Sequence, residues 1–122
     1  SNRQHSLDNI FSRLNQMKAK VHKRITMEGG REVVKRIVAI CDEELLGKVF
    51  EEGDLVLDLV KYRSFYDGEK VSEGQVADLL EGAMSYNLVG KKSIAAATKA
   101  IAINPKGIKT IKGVPHLQIY YV

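Results

Sequence analysis

The stretch CDEELLGK places the only cysteine of the chain, Cys41, after the apolar run IVAI and before three carboxylates, Asp42, Glu43 and Glu44. At the carboxyl end of a strand, with a helix N-terminus following, a thiolate would be a nucleophile. His116, the one histidine beyond residue 22, would be its base. Two arguments oppose this. Neighbouring carboxylates disfavour a thiolate, and a free cysteine is commonly a small apolar filler. The carboxylates suggest a hard-cation site, but such a site needs converging oxygens, and adjacent helical positions fan outward. Capping by Asp42 and dipole compensation by Glu43 and Glu44 account for all three. His5 and His22 lack metal-ligand spacing. No metal and no cofactor is expected.

Two other stretches suggest a polyanion. GKKS, Gly90 to Ser93, opens a helical segment. It is not a Walker motif, because the position five residues before Gly90 is Ser85 instead of glycine. A helix N-terminus flanked by Lys91 and Lys92 can still receive a phosphate; the plainer reading is a turn glycine with two solvated lysines. KYRSFY interleaves Lys61 and Arg63 with Tyr62, Phe65 and Tyr66, which is how a surface for single-stranded nucleic acid is built. Aromatic packing beneath a loop would give the same pattern. Lys106, Lys109 and Lys112 follow near His116 and Tyr120, and would extend one basic patch from Lys91 and Lys92 if the fold gathers them.

The charge distribution points the same way. The formal net charge is +4, from 19 basic and 15 acidic residues. Through Arg36, nine basic residues face only Asp8, Glu28 and Glu32, whereas twelve acidic and ten basic residues follow. A basic N-terminal arm attracts phosphates without sequence preference, although a solvated helix face has the same composition.

These residues must be positioned by one domain, since 122 residues suffice for a single core without staples. Leu7, Ile10, Phe11, Leu14, Met17 and Val21 recur at helical spacing, which predicts an amphipathic basic helix, with MEGGRE as a flexible joint. The expected division is residues 1–30 for the helix and joint and 31–122 for the compact domain. IVAI reads as a strand covered on both faces, and Asp42 as the cap of a short helix after it. LVLDLV reads as a second strand with Leu55, Leu57 and Leu59 on one face. Ser72 and Gln75 form a capping box, with Val71 and Val76 placed as a hydrophobic staple. That helix would bury Val76, Leu79, Leu80, Ala83 and Met84. YNLVG is a short strand or connection, KSIAAATKAIAI a helix stopped by Asn104-Pro105, and GIKTI and HLQIYYV are strands about a Gly113-Val114-Pro115 turn. The fold class is α/β, with α+β as the alternative: a mixed sheet flanked by helices.

CDEELLGKVFEEGDLVLDL, SFYDGEKVSEGQV, NLVG and IKGVPHLQIY together resemble a small archaeal family known as domain of unknown function four-two-four, which some catalogues label RNA-binding. The resemblance spans Val34 to Tyr120 and leaves the basic N-terminal segment outside it. Leu117 stands where the family more often has alanine. The resemblance singles out Cys41, Asp42, Asn87, Gly90 and His116 as motif residues that would share a pocket. The leading expectation is a non-enzymatic RNA-binding module acting with the translation machinery, through Arg63, Tyr66, Lys91, Lys92, Lys109, Lys112 and Tyr120. The alternatives are a small enzyme built on Cys41, Asp42, Asn87 and His116, and an interaction subunit whose first helix docks on a partner or second copy. A polar N-terminus, an unpaired cysteine and the lack of a long apolar run point to a cytoplasmic protein without a membrane segment.

Overall fold

The computed structural model describes residues 16–120. Two long strands, β1 (Met17–Glu28) and β2 (Arg31–Asp42), form a hairpin. A two-strand ribbon follows, β3 (Val49–Glu52) and β4 (Leu55–Asp58), then a single helical turn, α1 (Arg63–Tyr66). After β5 (Glu69–Val71) come α2 (Glu73–Leu80), β6 (Ser85–Val89), α3 (Lys91–Ala100), β7 (Lys109–Ile111) and β8 (Val114–Ile119). The main sheet has the order β5-β1-β2-β6-β8-β7. Only β2 and β6 pair in parallel; the other neighbours are antiparallel. This is an α+β arrangement, the alternative of the two classes expected.

The sheet is buried in its centre for a reason visible in β2. Val38, Ala39, Ile40 and Cys41 are all 0% exposed, because the pleat sends alternate residues to two covered faces. On one face Val38 and Ile40 join Leu88 and Leu117 beneath Val76 and Leu80 of α2 and Ile94 and Ala97 of α3. On the other, Ala39, Cys41 and Val89 meet Leu57, Leu59 and Tyr66 from the ribbon and α1. The capping box at Ser72 and Gln75 is formed, and Val71 and Val76 are both buried beside it. Met84, expected in the buried stripe of this helix, is exposed, because the helix ends at Leu80. Leu55 is likewise exposed at the start of β4, while Leu57 and Leu59 are buried.

The first helix is corrected where it can be seen. Leu7 to Leu14 lie outside the described residues, but Met17 and Val21 belong to β1, not to a helix. Met17, Ala19 and Val21 alternate with Lys18, Lys20 and His22, so the period of two competes with the helical spacing and wins by pairing with β2 along its whole length. MEGGRE is not a joint between a helix and a domain. Gly29 and Gly30, at φ 57° and 78°, form the two-residue turn of the β1–β2 hairpin, a geometry glycine adopts freely, and the sheet runs straight across residue 30. Beyond Ile37 on β2 and Ala19 on β1 this hairpin leaves its neighbours and projects as a two-stranded arm. The turn expected at Gly113-Val114-Pro115 falls one residue earlier, at Lys112-Gly113, both at positive φ, and Pro115 lies within β8.

Candidate functional site

The expected pocket separates into three places. Cys41 is sealed between the sheet and the ribbon, its thiol donating to the Asp42 main-chain carbonyl at 3.3 Å. Burial, and then the negative charges of Asp42 and Glu44, push its pKa up to about 12. Among the described residues no histidine hydrogen-bonds to it; His116 Nε2 is engaged with Asn87. The enzyme constellation of Cys41, Asp42, Asn87 and His116 is therefore not assembled.

Asp42 caps a helix, but not the one that follows it. Only a short 3-10 turn, Glu43–Leu45, comes next, and Asp42 makes no cap hydrogen bond to it. Its carboxylate instead reaches the start of α3, about fifty residues on in the chain. It accepts from the main-chain N–H of Lys92 at 3.1 Å, from the N–H of Ser93 at 2.8 Å and from the Ser93 hydroxyl at 2.7 Å. Burial pushes the Asp42 carboxyl up, and these donors pull it the other way. Gly90 makes the approach possible: its φ is 105°, and a Cβ there would overlap the carboxylate. Asp42 and Gly90 thus form one unit. The helix N-terminus opened by GKKS is therefore occupied by an internal anion, the Asp42 carboxylate.

Lys91, Lys92 and Lys112 do gather around one cleft of about 380 Å³, with Asp42 and Glu44 in its wall. Lys92 is paired with Glu44 at 2.8 Å, and this bond helps hold the Glu44 carboxyl below its usual range against the opposing effect of burial. Acidic neighbours therefore temper this patch. Lys109 is not part of it; its strand position pairs it with His116. Arg63 is tied to Asp67 at 3.1 Å.

Asn87 and His116 do come together, with two of the tyrosines. Asn87 on β6 and Gln118 on β8 are register partners, so the pleat aims Asn87, His116, Gln118 and Tyr120 at the same face. The Tyr66 hydroxyl donates to Asn87 Oδ1 at 2.8 Å, His116 Nε2 lies 2.9 Å from the same oxygen, and Asn87 Nδ2 donates to the Tyr120 hydroxyl at 3.2 Å. An amide oxygen only accepts, so His116 carries its proton on Nε2 and presents Nδ1 as an acceptor. Burial, then the nearby Lys109 ammonium, lowers the His116 pKa and keeps the ring neutral. Tyr66 is raised, chiefly by burial, and remains a phenol. Tyr120 receives the Asn87 proton and keeps its own O–H to donate.

This network floors a cleft of about 390 Å³, walled by Tyr62, Phe65 and Asp58. Sequence reading had Tyr66 and Tyr120 in one group and Asn87 and His116 in another; the antiparallel pairing of β6 with β8 brings Asn87, His116 and Tyr120 together, and α1 adds Tyr66. It named Tyr62 among the KYRSFY aromatics and passed over Gln118 and the contact of His22 with Phe65. The His22 ring stacks on Phe65 with centroids 4.3 Å apart and planes within 7°, and its Nε2 lies 2.8 Å from the Phe65 carbonyl oxygen. Alternation along HLQIY was the one available signal for Gln118.

Among the described residues no cluster of His, Cys, Asp or Glu is arranged to hold a metal, and no helix is long and apolar enough to cross a membrane. A crystal structure of an uncharacterized conserved protein from Methanopyrus kandleri has a similar fold, with a TM-score of 0.57 at 22% identity over 82% of this chain and 90% of that one. No curated protein matches the chain. Residues 32–122, from the start of β2 through the cleft, match the family described as Protein of unknown function (DUF424), and the chain belongs to that family.

Proposed function

We propose that the protein binds single-stranded RNA, taking a base into the cleft between β8 and the ribbon. The observation that carries this is the composition of the cleft. Tyr62, Phe65 and Tyr120 offer aromatic faces, while His116 Nδ1, the Tyr120 hydroxyl and the Gln118 amide offer an acceptor and donors at one end. Bases are read by that combination of stacking and edge hydrogen bonds, and the volume suits a small planar group.

The surrounding charge supports the reading. Lys109 stands beside His116 on the edge strand, and Lys61 lies 5.3 Å from the Tyr62 ring centre. Past His22 the same face continues to Arg24 and Lys35, register partners on the arm. Lys35 is also paired with Glu28 at 2.8 Å, and a phosphate would give Arg24 a counter-charge. Lys91, Lys92 and Lys112 line a separate cleft beside Asp42 and Glu44.

The test is a fluorescence-anisotropy titration of short single-stranded RNA at low and at physiological salt. Binding should weaken as salt rises, Tyr62→Ala and Tyr120→Ala should each weaken it about tenfold, and Lys109→Ala should flatten the salt dependence by roughly one counterion. Absence of binding at low salt, or binding that ignores both tyrosine changes, overturns the proposal.

A further inference from the structure

The arm carries a second recognition surface, along the outer edge of β1. Its outer edge on β1 has no strand partner among the described residues past Ala19, where β5 ends its pairing. The direction of the free hydrogen-bonding groups follows from the turn. In a two-residue hairpin the residues flanking the turn, here Glu28 and Arg31, exchange hydrogen bonds. Alternation then directs every second residue of β1 to β2 and leaves the N–H and C=O of Val21, Lys23, Ile25 and Met27 pointing outward. Glu43 N–H donating to the Gln16 carbonyl has the same phase at the other end of the ladder.

We propose that this edge is a homodimer interface, in which two copies of the chain pair antiparallel along β1 with Thr26 facing Thr26 of the second copy. Side-chain chemistry selects that register. It sets Ile25 opposite Met27, Arg24 opposite Glu28 and Lys23 opposite Gly29, each twice by symmetry. Centring on Arg24 would oppose two guanidinium groups. Centring on Ile25 would drive the second copy's Gly29-Gly30 turn toward Gly68, which backs onto Ala19. Centring on Met27 would shorten the ladder and separate Arg24 from Glu28.

Two features of the arm favour this interface. Ile25 and Met27 are each 66% exposed, and Val34, the register partner of Ile25, is 58% exposed on the same face. Six such side chains from two copies would form one apolar strip, the kind of surface that marks an interaction site. Arg24 faces Lys35 across the arm; within one copy Glu28 pairs with Lys35 at 2.8 Å, and in the proposed register the same carboxylate would also lie opposite Arg24 of the second copy. In the proposed register Thr26 sits at a non-hydrogen-bonded position, where the opposing strands come closest.

Sedimentation equilibrium of the full chain tests this. The wild type should have twice the chain mass. Glu28→Arg and Arg24→Glu each set like charges against each other and should raise the dimer dissociation constant about tenfold. The double exchange R24E/E28R restores opposite charges across the two-fold and should recover the dimer. Ile25→Pro deletes an outward N–H without touching the β1–β2 ladder and should yield a monomer, with circular dichroism reporting that each variant is folded. A monomeric wild type, a dimer that persists in all the single variants, or a double exchange that does not restore association overturns the proposal.

Discussion

Covered on both faces of β2, the Cys41 thiol has a carbonyl to donate to and no base to take its proton. With its pKa pushed to about 12, thiolate is negligible near neutrality, and the buried sulfur is inaccessible. An aromatic disulfide reagent should leave the native protein unmodified at pH 7.5 and titrate one thiol after denaturation; rapid native labelling would contradict this placement. His116 carries a pH dependence of definite sign. Its folded pKa is depressed by burial and by Lys109, so the unfolded chain binds the proton more readily. Its contribution is intact above the unfolded value near 6.5 and is lost as pH falls through the lower folded value. The melting temperature should drop between pH 7.5 and pH 5, and His116→Gln, which keeps a donor toward Asn87, should flatten that drop.

Strand β2 and helix α3 are joined by a single side chain. A helix leaves its first N–H groups unsatisfied, and α3 begins at a glycine that has no side chain to offer them. Asp42 supplies the missing acceptor from the end of β2. Asp42→Ala would bury those donors unpaired and should cost about 2 kcal/mol in chemical denaturation. Gly90→Ala should cost at least about 1 kcal/mol, because it adds a strained φ to the overlap with the carboxylate. Equal stability of both variants and wild type would contradict the shared role. Capping from so far away in sequence is invisible to a local reading, which assigned Asp42 to the nearest helix start; the type of interaction was legible, its recipient was not.

Across the whole molecule, the cations divide between the two ends of β2. Eleven residue steps of extended chain, about 35 Å, separate Arg31 at the arm from Asp42 beside Lys91 and Lys92. A single basic patch drawing on both ends is therefore not formed. The aromatic cleft, with Lys109, Lys61 and the near part of the arm, replaces it as the candidate polyanion surface. Pairing of two arms along β1 would leave each cleft open, since the cleft lies across the sheet beneath β6 and β8. Arg24 is shared by the two surfaces, so the tyrosine variants in the RNA titration report on the cleft and the mass measurement reports on the arm.

Elements whose signals are local were already decided in the sequence. Val38 to Cys41 form a strand because a short β-branched apolar run is stable only when covered on both sides, and Ser72 with Gln75 starts a helix because the two side chains satisfy each other's backbone. Met17 to Val21 were ambiguous, since their apolar spacing fits a helix and a strand alike, and only pairing with β2 resolved it. The same holds for the cleft. Tyr66, Asn87, His116 and Tyr120 lie up to about fifty residues apart in the chain, and their hydrogen bonds exist only after β6 and β8 align. Residue type and short-range pattern fix what a segment can become, whereas strand register, a property of two segments at once, decides which side chains meet.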